Sequence, residues 1–313
     1  MTLNRTMAAL ALALAGATAV AAEPASCQKV QLGDVGWTDV AATTGVASLL
    51  LDGLGYTPSK MIASVPILFT GLSTGQVDVF LGYWTPTMTP IAQPFIDKQQ
   101  IDVLAHPNLE GAKYTLAVPD YAYQAGLRTF QDIARFADRL DHKIYGIEPG
   151  NDGNLLIQKM IDENQYGLGD FELIESSEAG MLVTLRRAVP QSQWMVFLGW
   201  EPHPMNFNQK IDYLDGGDEV FGPDYGAAKV YTAVSRGYAD QCPNVGRLVG
   251  QLVFSTDMEN QLMVPIMDGV EPEDAARDWL RRNPQVLSAW LEGVTTWDGQ
   301  AGLAAVRAHL QLE

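Results

Sequence analysis

The chain has 313 residues, of which 47% are hydrophobic and 18% are charged, a balance that fits a globular protein and excludes a disordered one. At this length a single core approaches its size limit, so we expect two lobes. Asp and Glu number 37 against 20 Lys and Arg, giving a formal net charge of -17. Nucleic acids and anionic membranes both require a basic face, so neither is an expected partner.

The first 22 residues have the pattern of a secretory signal peptide. Arg5 precedes an apolar run over residues 7–20, and the small residues Ala21 and Ala22 follow. The run is shorter than the roughly 20 residues that a membrane span needs. We therefore predict a signal peptide over residues 1–22, cleaved near Ala22, and a periplasmic mature protein. An N-terminal membrane anchor is the alternative.

From residue 29 onward, short apolar runs alternate with segments of helical periodicity. Strands are predicted over residues 29–32, 60–65, 77–81, 114–118, 143–147, 171–174 and 194–198. Helices are predicted over residues 40–54, 67–74, 130–139, 154–163, 179–188, 257–267, 272–282, 284–290 and 302–310. The alternation predicts an α/β fold with mostly parallel sheets.

The chain contains two cysteines, Cys27 and Cys242. In an oxidising compartment such a pair is expected to form a disulfide, and closing so long a loop would contribute up to about 5 kcal/mol. Two separate thiols are the alternative. The four histidines are scattered without metal-ligand spacing, and no phosphate-binding or dinucleotide-binding glycine pattern occurs, so we expect neither metal nor cofactor.

Three tryptophans follow predicted strands in similar local sequences. Val-Phe-Leu-Gly precedes Trp200 directly and precedes Trp84 with one intervening tyrosine, and Val-Gly precedes Trp37. Ligands of open α/β sheets lie at the carboxyl ends of strands, and glycine lets the backbone turn there. Clustered aromatic faces bind quaternary ammonium, because ring quadrupoles replace the water around a cation that has no N–H. Burial of these rings in separate cores is the alternative.

Two polar residues are further candidates for the site. Asp39 lies two positions after Trp37, so on an extended segment both point to the same side. Its carboxylate would accept a hydrogen bond from a ligand hydroxyl. Asn151 lies between a predicted strand and a predicted helix. For each residue, a helix N-cap is the alternative role.

The segment Gly71-Leu-Ser-Thr-Gly75 matches the Gly-x-Ser-x-Gly pattern of hydrolases. The nucleophile elbow of hydrolases needs a strand before the serine and a helix after it. Here a helical segment precedes the motif and a strand follows it, so the order is reversed. We do not expect an enzyme.

Four stretches carry a family resemblance: residues 34–39, 111–117, 144–154 and 197–206. With them, nearly all of the chain after residue 22 resembles the glycine-betaine/choline substrate-binding family of bacterial ABC importers, in particular its choline-binding members. The resemblance implies a two-lobed, type II-like periplasmic binding protein with a hinge and an interlobe cleft. It implies one discontinuous lobe over residues 23–112 plus 209–313 and a second lobe over residues 113–208.

The resemblance also implies a ligand site between the lobes. An aromatic cage would surround the ligand's ammonium group, and two polar side chains would take its hydroxyl. The cage would consist of Trp37, Trp84, Tyr114 and Trp200, with Asp39 and Asn151 as the polar pair. The family pattern also supports a Cys27–Cys242 bridge.

Choline is the expected ligand, because the carboxylate of a betaine would face Asp39 and be repelled. Acetylcholine or betaine would bind more weakly. The expected partner is an ABC permease of the inner membrane, and the protein is expected to be a monomer. A betaine or carnitine binding protein, a ligand sensor for a receptor and an exported choline-ester hydrolase are the alternatives.

Overall fold

The structure is a computed structural model that describes residues 23–312. The predicted signal peptide lies outside the described residues.

Within the described residues, nine strands form one mixed sheet. They are β1 (Lys29–Asp34), β2 (Thr57–Ile62), β3 (Val79–Thr85), β4 (Ile101–Pro119), β5 (Lys143–Tyr145), β6 (Glu172–Ile174), β7 (Val196–Glu201), β8 (Ile211–Tyr213) and β9 (Ala227–Ser235). Their order is β2-β1-β3-β9-β4-β7-β5-β6, and β8 pairs with β4. The α/β class is confirmed.

The expectation of mostly parallel sheets is wrong for the middle of this sheet. Strand β1 is parallel to β2 and β3, and β5 is parallel to β6 and β7. Strand β4 is antiparallel to β7, β8 and β9, and β9 is antiparallel to β3. The error arises in part because β8, β9 and the first half of β4 were not predicted. The antiparallel pairing of β4 with β7 joins two predicted strands, and the alternation of strands and helices does not give their relative direction.

Helices connect the strands and form most of the C-terminal part of the described chain. They are α1 (Thr38–Gly53), α2 (Val65–Thr74), α3 (Thr89–Asp97), α4 (Asp120–Gln124), α5 (Phe130–Ile133), α6 (Asp152–Asp162), α7 (Glu178–Ala188), α8 (Met205–Asn208), α9 (Asp218–Phe221), α10 (Pro223–Gly226), α11 (Tyr238–Gln241), α12 (Pro243–Gln251), α13 (Thr256–Met267), α14 (Pro272–Arg282), α15 (Leu287–Trp290) and α16 (Gly302–His309). Side-chain caps start several of them, as Ser177 does for α7 and Ser255 for α13.

Helix α1 lies at the centre of the first part of the fold. It packs against β1 on one side and against α13 and α14 on the other, so most of its residues are buried. Gly45 permits the close approach to α14, since an added Cβ would lie 2.7 Å from the Cβ of Pro272. Trp279 and Trp290 are buried and stacked with ring centroids 6.4 Å apart, so both belong to the core.

Strand β4 links the two ends of the sheet. Its first part pairs with β9 as far as Lys113, and from Lys113 onward it pairs with β7. Strand β8 pairs with Ala117–Pro119 of the same strand. The predicted boundary between residues 112 and 113 falls where β4 changes partners; the division of the chain into lobes stays a prediction.

The two cysteines are joined. A disulfide connects Cys27 and Cys242, whose Cα atoms lie 5.6 Å apart, and both residues are buried. It ties the start of β1 to the start of α12. The Gly71–Gly75 motif covers the end of α2 and the glycine after it, with β3 following, so the predicted order of helix before strand is confirmed. Across residues 23–312, none of the helices is both long and apolar enough to cross a bilayer.

Candidate functional site

A small cavity lies at the carboxyl ends of β1, β3 and β7. Two segments of the chain form it. The N-terminal wall consists of Trp37, Asp39 and Trp84, and the central wall consists of Tyr114, Ile147, Asp152 and Trp200. The four aromatic side chains of the predicted cage therefore line one shared cavity, and burial in separate cores is wrong.

The rings form sides of a box rather than a stack. Tyr114 and Trp200 are paired residues of the antiparallel strands β4 and β7, with ring centroids 6.3 Å apart and planes at 76°. Trp84 reaches Tyr114 from the other wall, at 6.1 Å and 58°. All four cage residues are at most 6% exposed. Such rings offer a desolvated environment in which cation–π attraction is strongest.

The glycines before the tryptophans do two different things. Gly36 has a φ of 80° and turns the chain from β1 into α1, as predicted. Gly82 and Gly199 lie inside β3 and β7, where they allow close packing instead of a turn. A Cβ on Gly82 would lie 2.6 Å from Val40, and one on Gly199 would lie 2.9 Å from the Cβ of Ala117. The expected turning role is therefore wrong at these two positions.

Asp39 lies in the first turn of α1, and the helix is capped by Trp37, so the N-cap alternative for Asp39 is wrong. One carboxylate oxygen accepts a hydrogen bond from Trp84 Nε1 at 3.1 Å. The other oxygen is buried and has no partner among the described residues. Burial, followed by the charge of Glu178, raises the pKa of Asp39 to about 7. Cation binding would favour its ionised form.

Asn151 caps α6: its side-chain oxygen accepts a hydrogen bond from the backbone N–H of Asn154 at 2.6 Å. Its amide Nδ2 is buried and unpartnered within the part of the chain that the structure describes. The residue is not part of either wall of the cavity. A role of Asn151 toward a ligand hydroxyl stays a prediction, and the capping role is present beside it.

Hydrogen bonds connect the segment around Trp37 to the region beside the central wall. Trp37 Nε1 donates to Glu148 Oε1 at 2.5 Å. The backbone N–H of Thr38 donates to Glu178 Oε2 at 2.9 Å, and the Thr38 hydroxyl donates to Glu178 Oε1. These bonds join residues more than 100 positions apart in the chain, so they hold the two walls together.

His203 supports this connection from behind Trp200. Its Nδ1 accepts a hydrogen bond from the backbone N–H of Met205 at 3.0 Å, which leaves the proton of the neutral ring on Nε2. Nε2 lies 3.2 Å from Glu178 Oε1, so it donates to that carboxylate. The ring is fully buried and meets Trp200 at 4.9 Å.

Sequence reasoning missed two further members of the central wall, Ile147 and Asp152, and the carboxylate of Glu178. Asp152 is the residue after Asn151, and an acidic residue at a helix start is ordinarily explained by the helix dipole. The signal that could have found it is its position at the carboxyl side of β5, where Asn151 was already singled out. Nothing in the local sequence around Glu178 indicates its contact with Thr38.

The walls present aromatic rings and two carboxyl groups, and no Lys, Arg or His is among the residues that form them. Burial raises the pKa of Asp152 to about 6, and the charge of Glu148 acts in the same direction. An anion would be repelled by this arrangement, whereas a cation without N–H groups would be attracted by both rings and carboxylates.

Comparison with known proteins agrees with this chemistry. The family model for the substrate binding domain of ABC-type glycine betaine transport systems matches residues 28–282. An ABC-transporter choline binding protein in complex with choline is 50% identical, with a TM-score of 0.90 over 92% of this chain and 100% of that one. The unliganded, semi-closed form of such a protein has the same identity and coverage and a TM-score of 0.84.

A glycine betaine/carnitine transport binding protein of Listeria monocytogenes is 28% identical over 162 residues, which are 52% of this chain and 53% of that protein.

Proposed function

The chain belongs to the family of substrate binding domains of ABC-type glycine betaine transport systems, and we propose that its own ligand is choline. It is a substrate-binding protein of an ABC transporter. Choline would enter the cavity, the rings of Trp37, Trp84, Tyr114 and Trp200 would surround its trimethylammonium group, and Asp39 and Asn151 would take its hydroxyl.

The observation that carries the proposal is the composition of the cavity walls. Four buried rings and two carboxyl groups meet there without a basic side chain. A quaternary ammonium ion gains about 0.5–2 kcal/mol from each ring face that replaces its water. The relative that was solved with choline bound supports the same ligand class.

Closure of the two walls around the ligand would be what the transporter recognises. Because neither wall encloses a cation by itself, ligand binding would favour the conformation in which Glu148 and Glu178 bond to the segment around Trp37. We propose that the protein acts as a monomer in the periplasm after removal of its signal peptide. It would deliver choline to an inner-membrane permease without any catalytic step.

Substitution of one cage residue tests the proposal. Trp200→Ala opens the central wall and should weaken choline binding at least about tenfold, the loss expected from one desolvated ring face and the packing around it. Calorimetric titration with choline measures the effect. Trp194→Ala is the matched control, because Trp194 precedes the same strand but packs against Phe136, away from the cavity. Equal affinity of both variants would contradict the cage.

The second candidate is a betaine or carnitine binding protein, which the family description and the Listeria relative favour. A betaine site would hold the ligand carboxylate with Arg or backbone N–H donors. The walls of the cavity contain no Arg, and they contain Asp39 and Asp152, whose carboxylates would repel the carboxylate of a betaine. A thermal-shift comparison of choline, acetylcholine, glycine betaine and carnitine separates the two candidates, and the largest shift with glycine betaine would favour the second.

A further inference from the structure

His203 lies between a ring of the cavity and a contact that joins the two walls. Its own ring is fully buried and meets the ring of Trp200 with centroids 4.9 Å apart and planes at 66°. Its Nε2 lies 3.2 Å from Oε1 of Glu178, and Glu178 in turn bonds to Thr38. One side chain therefore touches both a residue that lines the cavity and a residue that holds the walls together.

The backbone around His203 fixes the ring and the nitrogen that donates. The backbone N–H of Met205 donates to Nδ1 at 3.0 Å, so the proton of the neutral ring is on Nε2 and points to Glu178. The amide Nδ2 of Asn206 donates to the carbonyl oxygens of Trp200 at 2.8 Å and of His203 at 2.9 Å. The position of the imidazole relative to Trp200 is thus set by residues outside the cavity walls.

The carboxylate of Glu178 needs such a fixed donor. Its Oε2 accepts a hydrogen bond from the backbone N–H of Thr38 at 2.9 Å, and its Oε1 accepts from the Thr38 hydroxyl and from His203. The terminal torsion of a glutamate is broad, so the carboxylate has no strong preference of its own for this orientation. A donor within the same wall holds the carboxylate in place before Thr38 arrives, which lowers the entropy cost of closure.

We propose that His203 is a positioning residue for closure, which aims the carboxylate of Glu178 at Thr38 and ties that aim to the position of Trp200. The inference rests on the proposed function and deepens it. A ligand that restrains the ring of Trp200 also restrains His203, and through it Glu178. Loss of the Nε2 donor should therefore weaken choline binding, although His203 is not among the residues that form the cavity walls.

A purely structural role predicts a different pattern of losses. In that case the important bond is the one from Met205 to Nδ1, which shapes the turn between β7 and α8 with or without a ligand. Two substitutions separate the nitrogens. His203→Asn places its amide near the position of Nδ1 and loses the donor to Glu178, whereas His203→Gln places its amide near Nε2 and loses the acceptor for Met205.

The test is calorimetric titration of the full mature chain with choline. His203→Asn should weaken binding about tenfold, because hydrogen bonds to charged groups are among the strong ones. His203→Gln should weaken it at most about threefold, since it retains an N–H for the carboxylate. His106→Asn, at an exposed position of β4, is the matched control and should bind like wild type. If His203→Gln binds no better than His203→Asn, the inference is overturned.

A double-mutant cycle with Thr38 gives a readout that a structural role would not move. Thr38→Val removes the hydroxyl that donates to Glu178 from the other wall. In the wild-type background it should weaken choline about tenfold, and in the His203→Asn background about threefold or less, because the carboxylate is no longer aimed at it. Equal losses in both backgrounds would mean that His203 and Thr38 act independently, and they would overturn the inference.

The remaining outcomes are also distinguishable. If His203→Asn does not fold, as judged by circular dichroism, His203→Phe takes its place in both comparisons. Phenylalanine keeps a ring against Trp200 and, like His203→Gln, lacks the acceptor for Met205, so the two variants then differ in the donor to Glu178. Failure of the wild type to bind choline overturns the proposed function and the inference with it, and this result is read from the wild-type titration alone.

Discussion

The N-terminal wall and the central wall of the cavity each present aromatic rings and one buried carboxyl group, but they hold that group differently. In the N-terminal wall, Asp39 accepts a hydrogen bond from the indole of Trp84, so the acid and one ring are fixed relative to each other. In the central wall, Asp152 and the hydroxyl of Tyr114 have no hydrogen-bond partner among residues 23–312. The first wall fixes its acid to a ring and leaves one Asp39 oxygen without a partner among the described residues, whereas the second wall leaves both Asp152 oxygens and the Tyr114 hydroxyl without one.

The two walls also differ in what supports them from behind. The N-terminal wall rests on α1, which packs against α13 and α14, and α13 brings the buried Glu259 near Asp39. The central wall rests on β7 and on His203, which donates to Glu178. Buried acids therefore lie behind both walls, Glu259 on the N-terminal side and Glu178, bonded to His203, on the central side.

Asp39 gives the largest expected effect. Its pKa in the folded protein is raised from 3.8 to about 7, so the folded protein holds this proton more tightly than the unfolded chain. The resulting stabilisation is complete below about pH 4 and is lost as the pH rises to 7. At 1.36 kcal/mol per pKa unit, the loss in the empty protein is at most about 4 kcal/mol.

Asp39→Asn should therefore stabilise the empty protein at pH 8 while weakening choline at least about tenfold. Asparagine retains an acceptor for Trp84 Nε1, so the wall keeps its geometry. Thermal unfolding at pH 5 and pH 8 measures the stability, and Asp170→Asn, at an exposed position, is the control. Asp152 and Glu259 titrate in the same direction, so the pH slope should shrink without vanishing. If the stability of Asp39→Asn depends on pH as steeply as that of wild type, Asp39 is not the group that causes the pH dependence.

The same pKa shifts predict how choline binding depends on pH. Below pH 7, Asp39 gains a proton and the walls lose negative charge, so choline affinity should fall between pH 8 and pH 5. The fall should be smaller in Asp39→Asn than in wild type. Titrations at three pH values compare the two proteins, and parallel pH profiles would show that another group controls the binding.

Glu178 tests the connection between the walls. Glu178→Ala removes the acceptor of both hydrogen bonds from Thr38, bonds that we expect only when the walls are closed together. Each hydrogen bond to a charged group contributes about 1.5–3 kcal/mol. Because water can bond to Thr38 in the variant and recover part of this free energy, we expect choline to bind about tenfold more weakly.

Glu172→Ala, an exposed acid six residues earlier in β6, should bind choline like wild type. Small-angle scattering adds a readout of shape: wild type should become more compact with choline, and Glu178→Ala should need more ligand for the same compaction. Identical titrations of the two variants would show that Glu178 does not couple closure to binding.

The sequence alone indicates those residues of the site that stand in a recognisable local pattern. A buried strand followed by glycine and tryptophan identifies Trp37, Trp84 and Trp200, because the carboxyl end of a strand is a local property. Tyr114 has no such signal. It lies in the middle of the 19-residue strand β4, and it meets Trp200 only through the antiparallel register with β7. Only the family resemblance indicates this residue.

The elements that escaped prediction share a physical cause. Strand β9 begins Ala-Ala-Lys, and its exposed and buried residues alternate before a buried end, so it lacks the continuous apolar run of a fully buried strand. Its pairing with β3 and β4 decides the mixed character of the sheet. Glu178 and Asp152 also depend on contacts between distant segments, and such contacts leave no trace in local spacing.

The hydrogen bond between Trp37 and Glu148 gives the smallest expected effect and the finest distinction between the walls. Glu148→Gln keeps a carbonyl acceptor for Trp37 Nε1 but removes the charge, and a charge-assisted hydrogen bond is roughly twice as strong as a neutral one. Choline affinity should fall only about two- to threefold.

Because this bond joins the walls after the ligand has entered, the loss should appear in the dissociation rate. Stopped-flow tryptophan fluorescence separates the two rates, with Glu163→Gln at an exposed site as control. If association is slower and dissociation is unchanged, Glu148 acts on the protein before choline binds. The position of Trp37 in the N-terminal wall would then depend on Glu148 even without ligand.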